Sequence, residues 1–147
     1  PVRFWKMCVA AFPDNGEFVV LLSLGAEIET AKDEVAFPPN FVVDSYVPQT
    51  AVLQAVDVFV THGGMNSVME ALLLSVPMVC VPHHGDQPYN SNQVEDCGAG
   101  IMIDPFNLTF ANLRQAVCSV AQDASFAEEA QKMKAQLEKY KSCELAV

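Results

Sequence analysis

The sequence predicts an α/β fold built around parallel strands. Short apolar runs alternate along the chain with longer segments whose apolar residues recur at helical spacing. Glycine and proline separate these segments, as they do where turns connect strands and helices. The chain has 147 residues, 51% hydrophobic and 18% charged, which suits one domain with a buried core. Alternating strands and helices form βαβ units, in which successive strands run parallel.

The strands are predicted from short apolar runs. The run at 18–24 is the clearest, because it is almost wholly apolar, contains two valines and ends at Gly25. The shorter runs follow the same pattern and are bounded by polar or turn-forming residues. The predicted strands are 18–24, 41–43, 56–61, 78–81 and 101–103.

The helices are predicted from apolar periodicity and from residues that start or stop helices. Phe4, Met7 and Cys8 recur at helical spacing in the first of them. Gly98 is expected to end one helix, and Thr109 to act as the N-cap of another. The predicted helices are 3–12, 50–55, 66–75, 89–97, 110–120 and 126–141.

Charge and cysteine usage exclude several classes of protein. Eight basic residues against eighteen acidic ones give a net charge of −10, which argues against a nucleic-acid partner. The most apolar stretch, 68–81, is interrupted by Glu70 and Pro77, so no membrane span is predicted. The five cysteines are scattered and match no common zinc pattern with the histidines. We therefore expect reduced thiols, no metal site and a cytoplasmic protein.

The sequence THGGMNS at 61–67 stands where a predicted strand passes into a predicted helix. The free N–H groups and the dipole of a helix start favour an anion. Gly63 and Gly64 would let a phosphate approach the backbone, and Asn66, Ser67 and His62 could add hydrogen-bond donors. The alternative is a glycine turn in which Asn66 or Ser67 is only an N-cap. This stretch taken alone does not separate a diphosphate site from such a turn.

Polar groups in the predicted helix at 66–75 and in the loop at 82–88 also allow two interpretations. Glu70 could close a capping box with Ser67, or its carboxylate could bind ribose hydroxyls. Asp86 and Gln87 could bind vicinal sugar hydroxyls, or form a polar turn before Pro88. The loops at 61–65 and 82–88 follow predicted strands, and parallel sheets bind their ligands at such loops.

The segment after the strand at 41–43 offers an aromatic ring and a side-chain amide. A nucleobase could stack on Tyr46, with Gln49 nearby to make polar contacts. The alternative is that Tyr46 is an ordinary buried tyrosine.

Taken in order, these motifs resemble the UDP-glycosyltransferase family, especially its macrolide-type microbial branch. The ordered string is far more specific than any one motif, and the resemblance covers residues 3 to about 121. The motifs that carry it are YVPQ at 46–49, THGGMNS at 61–67, Glu70, Pro77, Pro82 and the pair Asp86-Gln87.

The resemblance implies the C-terminal half of a GT-B fold. In that arrangement two Rossmann-like domains face each other, and the C-terminal one holds the nucleotide sugar. Residues 1–147 would form this donor domain: a parallel sheet with helices on both faces, lacking its first strand. The N-terminal acceptor domain, which carries the family's general base, would be absent, so the resemblance assigns no catalytic residue to this chain.

The resemblance also assigns residues to each part of the donor. Those expected to hold the diphosphate are His62, Gly63, Gly64, Asn66 and Ser67. Glu70 would hold the ribose, and Asp86 with Gln87 the sugar hydroxyls. Val47 and Gln49 would read the base, while Tyr46 stands where the family often has a tryptophan that stacks on it.

The implied reaction is an inverting transfer of a hexose from a UDP-sugar to the hydroxyl of a small-molecule acceptor. It would need no cofactor and no obligate metal, and this chain alone would be inactive. Two alternatives stay open: a nucleotide-sugar-binding module, or one subunit of a split glycosyltransferase. A third is a structural domain in which the motif residues serve only as caps and turns.

Overall fold

The computed structural model describes the backbone of residues 1–144 and the side chains of residues 1–140. These residues form two compact units. The first comprises Pro1–Pro48 with Thr109–Arg114, and the second comprises Gln49–Leu108 with the chain from Gln115 onward.

The first unit contains a parallel pair of strands and the helices connected to them. Helix α1 (Val2–Ala11) precedes strand β1 (Val20–Ser23), which is followed by a 3-10 turn at Gly25–Glu27 and helix α2 (Ile28–Glu34). Strand β2 (Phe41–Asp44) then pairs with β1. Buried side chains between these elements form the core of the unit: Trp5, Leu24, Ala31 and Val35.

The second unit contains a three-stranded parallel sheet in the order β3-β4-β5. Its strands are β3 (Phe59–Thr61), β4 (Met78–Cys80) and β5 (Gly100–Met102). Helices α3 (Gln49–Leu53), α4 (Met65–Leu73) and α5 (Gln87–Asp96) alternate with the strands, and a 3-10 turn at Pro105–Asn107 follows them. Helix α6 (Phe110–Gln122) begins in the first unit and ends in the second, and α7 (Ala124–Glu144) comes last.

The core of the second unit lies between its strands and helices. Helix α7 packs against α4, and α5 packs against β5. A β-carbon at Gly100 would lie 2.2 Å from the Met78 carbonyl oxygen, so the close pairing of β4 and β5 requires glycine there. The largest fully buried side chains of this core are Leu53, Met78, Val79, Val94 and Cys80.

The structure confirms the α/β class and each predicted strand. Strands β1, β3 and β4 are shorter than predicted, β2 is one residue longer, and β5 is shifted by one residue. The hydrogen-bonded ladders fall into a two-stranded and a three-stranded sheet. The predicted N-cap at Thr109 is confirmed: its hydroxyl accepts from the Asn112 N–H, and Asn112 Oδ1 accepts from the Thr109 N–H. Helix α2 was not predicted, although Ile28, Ala31 and Val35 have helical spacing. None of the helices within residues 1–144 is long and apolar enough to cross a membrane.

Candidate functional site

The loop between β3 and α4 requires glycine at Gly63. Its φ of +80° lies in the left-handed region that side chains disfavour. A β-carbon there would also lie 2.2 Å from the Ser91 hydroxyl oxygen and 3.1 Å from the Gln87 carbonyl oxygen. At Gly64 a β-carbon would lie 2.7 Å from His62 Nε2, so the imidazole lies against this glycine. The loop backbone therefore packs against Ser91 at Gly63 and against His62 at Gly64, and neither position has room for a side chain.

Helix α4 begins with backbone N–H groups that no helix carbonyl can reach. Its N-cap is Gly64, and no side chain caps it. The first helical bond runs from the Val68 N–H to the Gly64 oxygen at 3.0 Å. The N–H groups of residues 65–67 therefore have no acceptor in the helix, and its dipole adds partial positive charge beside them. The interpretation of Asn66 or Ser67 as an N-cap is wrong, because both lie inside the first turn.

Three of the predicted site residues meet beside α4. Gln49, the first residue of α3, donates from Nε2 to Glu70 Oε2 at 2.7 Å and to Ser67 Oγ at 3.3 Å. The capping box proposed for Ser67 and Glu70 is wrong, since Ser67 is already helical and Glu70 accepts from Gln49 instead. One Glu70 oxygen is thus held by a neutral donor while the carboxylate stays half-buried.

The loop at 83–87 places Asp86 and Gln87 differently. Gln87 is buried, and its Oε1 accepts from the backbone N–H groups of His83 (2.9 Å) and His84 (3.1 Å). Asp86 is exposed and is the N-cap residue of α5, although its side chain makes no capping bond. Helix α5 starts at Gln87, earlier than the predicted start at 89.

Asn90 joins the two loops and was not among the predicted site residues. Its Nδ2 donates to the Gly63 carbonyl oxygen and to Asp86 Oδ2, each at 3.0 Å. The Gly63 N–H in turn donates to Thr61 Oγ1 at 3.2 Å. The available signal was an asparagine placed four residues after Asp86, one helical turn further along the chain.

Tyr46 and Val47 belong to the first unit and follow β2. The Tyr46 side chain is 75% exposed, so the interpretation of a buried core tyrosine is wrong. The Tyr46 N–H donates to Asp44 Oδ1 at 3.3 Å, and Val47 is half-buried. In the second unit, His62 and Asn66 are exposed beside the free amides of α4.

Strand β4 carries a buried thiol. Cys80 ends β4 and is fully buried, and that burial raises the pKa of its thiol to about 11. Within the described residues, no group of three or more histidine, cysteine or acidic side chains is placed to hold a metal ion.

Comparison with known sequences and structures identifies the class of protein. The family described as "Erythromycin biosynthesis protein CIII-like, C-terminal domain" matches residues 10–144. The NDP-glycosyltransferase YjiC of Bacillus subtilis is 38% identical over 82% of this chain and 30% of its own length. The oleandomycin glycosyltransferase of Streptomyces antibioticus is 28% identical over 91% of the chain and 31% of its own length.

Solved structures show the same architecture. The crystal structure of the kitacinnamycin glycotransferase superposes with a TM-score of 0.86 and 37% identity, over 93% of this chain and 35% of that one. The fold is that of a GT-B C-terminal domain. The chain belongs to the EryCIII-like C-terminal domain family, within the UDP-glycosyltransferases. It spans about 30% of the length of the curated relatives it matches.

Proposed function

We propose that this chain is the donor-binding domain of a UDP-dependent glycosyltransferase. The observation that carries the proposal is the start of α4. There the free N–H groups of residues 65–67 adjoin two glycines, and no side chain caps the helix. Such a helix start favours a diphosphate, because its amides can donate to phosphate oxygens and its dipole favours negative charge.

The side chains around this helix start suit the other parts of a nucleotide sugar. His62, Asn66 and Ser67 add donors for the diphosphate. In the described contacts, Glu70 uses only Oε2 and Asp86 only Oδ2, both for a protein amide. Each carboxylate can therefore accept from hydroxyls through its other oxygen, on the ribose for Glu70 and on the sugar for Asp86.

Gln87 would contribute through the hydrogen atoms of its amide. Gln49 would contribute through its amide oxygen, because its Nε2 already donates to Glu70 and Ser67. Gln87 Oε1 is engaged with its own loop, so its Nε2 would be the group that donates to a sugar hydroxyl. Tyr46 would stack on the base and Val47 would contact it, since both follow β2 and the tyrosine ring is exposed. Gln49 would read the base while it also orients Glu70.

The proposed reaction is inverting transfer of a hexose to a small-molecule hydroxyl. A base on the N-terminal acceptor domain would deprotonate that hydroxyl, and UDP would leave from the anomeric carbon. The start of α4 and His62 would stabilise the charge that builds on the departing diphosphate, without a cofactor or an obligate metal. We place the reaction in the cytoplasm, with no catalytic residue supplied by residues 1–147. A non-catalytic binding module and a split-enzyme subunit use the same donor site.

Titration calorimetry of the chain with UDP, dTDP and uridine tests the proposal. We expect UDP to bind and uridine to bind far more weakly, because uridine lacks the diphosphate. Replacement of His62 or Asn66 by alanine should weaken UDP binding by several-fold, about 1 kcal/mol for one lost hydrogen bond. Asn92→Ala, at an exposed position on α5, is the control.

The outcomes separate the alternatives. If no nucleotide binds, the structural interpretation is favoured and the proposal is wrong. If UDP binds with the same affinity to His62→Ala and Asn66→Ala, the diphosphate does not lie at the start of α4. Mixing the chain with a separately expressed acceptor domain would test the enzyme, since restored transfer requires a competent donor half.

A further inference from the structure

Asn90 is a buried asparagine whose amide nitrogen contacts two different loops. Its side chain is on α5 and the residue is only 3% exposed. Nδ2 lies 3.0 Å from the Gly63 carbonyl oxygen and 3.0 Å from Asp86 Oδ2. Both partners are acceptors, so the nitrogen must face them, and its two hydrogen atoms allow both bonds at once.

The bond to Gly63 sets the direction of a backbone amide in the proposed diphosphate site. The carbonyl of Gly63 and the N–H of Gly64 belong to one trans peptide unit, in which the two groups point in opposite directions. This unit lies between two glycines, where the backbone rotates at little steric cost. By holding the carbonyl on the side of α5, Asn90 keeps the Gly64 N–H turned away from α5.

The bond to Asp86 holds the carboxylate proposed for the sugar hydroxyls. Asp86 lies four residues before Asn90, one helical turn away, and its side chain makes no capping bond to α5. An exposed aspartate would otherwise sample several rotamers. Because Asn90 is itself buried and fixed, it holds one Asp86 oxygen and leaves the other to accept a hydroxyl.

We propose that Asn90 is a positioning residue that couples the diphosphate loop at 62–64 to the sugar-binding loop at 83–87. The inference rests on the donor-binding function proposed above. The consequence is specific: loss of this one amide disturbs diphosphate binding and sugar binding together. Loss of Asp86 disturbs the sugar directly and the diphosphate only indirectly, through a changed bond from Asn90 to Gly63.

The test compares two affinity ratios, UDP over UMP and UDP-glucose over UDP, measured by calorimetry on the 147-residue chain. The first ratio reports the contribution of the second phosphate, and the second reports that of the sugar. In Asn90→Ala we expect both ratios to fall, with UDP affinity lower by about tenfold. In Asp86→Ala the second ratio should fall more than the first. Asn92→Ala removes an exposed amide from the same helix and should match the wild-type chain.

If Asn90 had only a structural role, Asn90→Ala would have a lower melting temperature than the wild-type chain. The folded variant would keep both affinity ratios unchanged. Unchanged ratios, or a fall in only one of them, in an Asn90→Ala variant that is folded overturn the inference while the proposed function stands. A wild-type chain that binds no nucleotide overturns the proposed function itself, so the two failures are distinguishable.

If Asn90→Ala does not fold, the exposed Asp86→Ala variant provides a second test in the nucleotide-free chain. Freed of one acceptor, the Asn90 side chain should change its bond to Gly63. The ¹⁵N–¹H resonances of the Asn90 side-chain amide and of the Gly64 backbone should then both shift. A shift of neither resonance overturns the coupling.

Discussion

Gly63 and Ser91 approach so closely that a β-carbon on Gly63 would lie 2.2 Å from the Ser91 hydroxyl oxygen. This contact presses the glycine loop against α5 and leaves no room for a side chain on that side. The left-handed φ of Gly63 adds a second, independent restriction. Helix α5 therefore packs against the loop that precedes the free amides of α4 and restricts its backbone.

We predict that Gly63→Ala destabilises the chain by about 2–4 kcal/mol, the sum of left-handed backbone strain and steric overlap. Gly85→Ala is the matched control, because Gly85 also has a positive φ (+64°) but no atom within 4 Å of its would-be β-carbon. It should lose only the backbone part, about 1–2 kcal/mol. Urea unfolding measures both values. Equal losses in the two variants would show that the contact with Ser91 is not restrictive.

The hydrogen bond from Gln49 to Glu70 leads to a prediction about ribose recognition. Glu70→Ala should lower UDP affinity by about tenfold, since a charged acceptor for a ribose hydroxyl is lost. The preference for UDP over 2′-deoxy-UDP should shrink in the same variant. Gln49→Ala should have a smaller effect in the same direction, because Glu70 keeps its charge but loses its 2.7 Å partner.

Glu128→Ala removes the same charge from an exposed position on α7 and serves as the control. Calorimetry with UDP and 2′-deoxy-UDP measures the two affinities in each variant. A wild-type preference for UDP over its deoxy analogue that survives in Glu70→Ala would exclude Glu70 from the ribose site.

Burial of Cys8 and Cys80 predicts slow reaction with thiol reagents. Burial raises the pKa of Cys8 to about 12 and that of Cys80 to about 11. Below these pH values both thiols stay protonated in the folded chain, and only a thiolate is an effective nucleophile. At pH 8, iodoacetamide should therefore modify the half-buried Cys118 before either of them. Peptide mapping by mass spectrometry measures the order, and early labelling of Cys80 would contradict its protection by burial in β4.

The regular elements were predictable because their signals are local. A few neighbouring residues are enough to predict the strand at 18–24 and the N-cap at Thr109. Helix α2 could have been predicted in the same way from the helical spacing of Ile28, Ala31 and Val35. Its many charged residues made that apolar pattern less distinct. The start of α4 was predicted one residue late, because a helix capped by glycine lacks the usual side-chain signal.

The connections within the candidate site could not be predicted in the same way. Gln49 and Glu70 are 21 residues apart in sequence, and Asn90 and Gly63 are 27 apart. Motifs suggested which residues bind, but only the packing of α3 and α5 beside α4 reveals which side chains hold the others in place. No motif in the sequence marks Asn90, so its hydrogen bonds are visible only in the structure.

The most direct measurement of the central claim follows backbone amide resonances of the ¹⁵N-labelled chain as UDP is added, with uridine as the control. The claim is that the start of α4 binds the diphosphate. It predicts that the largest shifts specific to UDP fall on the N–H groups of residues 64–67. UDP binding that leaves these amides unchanged, with its largest shifts elsewhere in the chain, would contradict it.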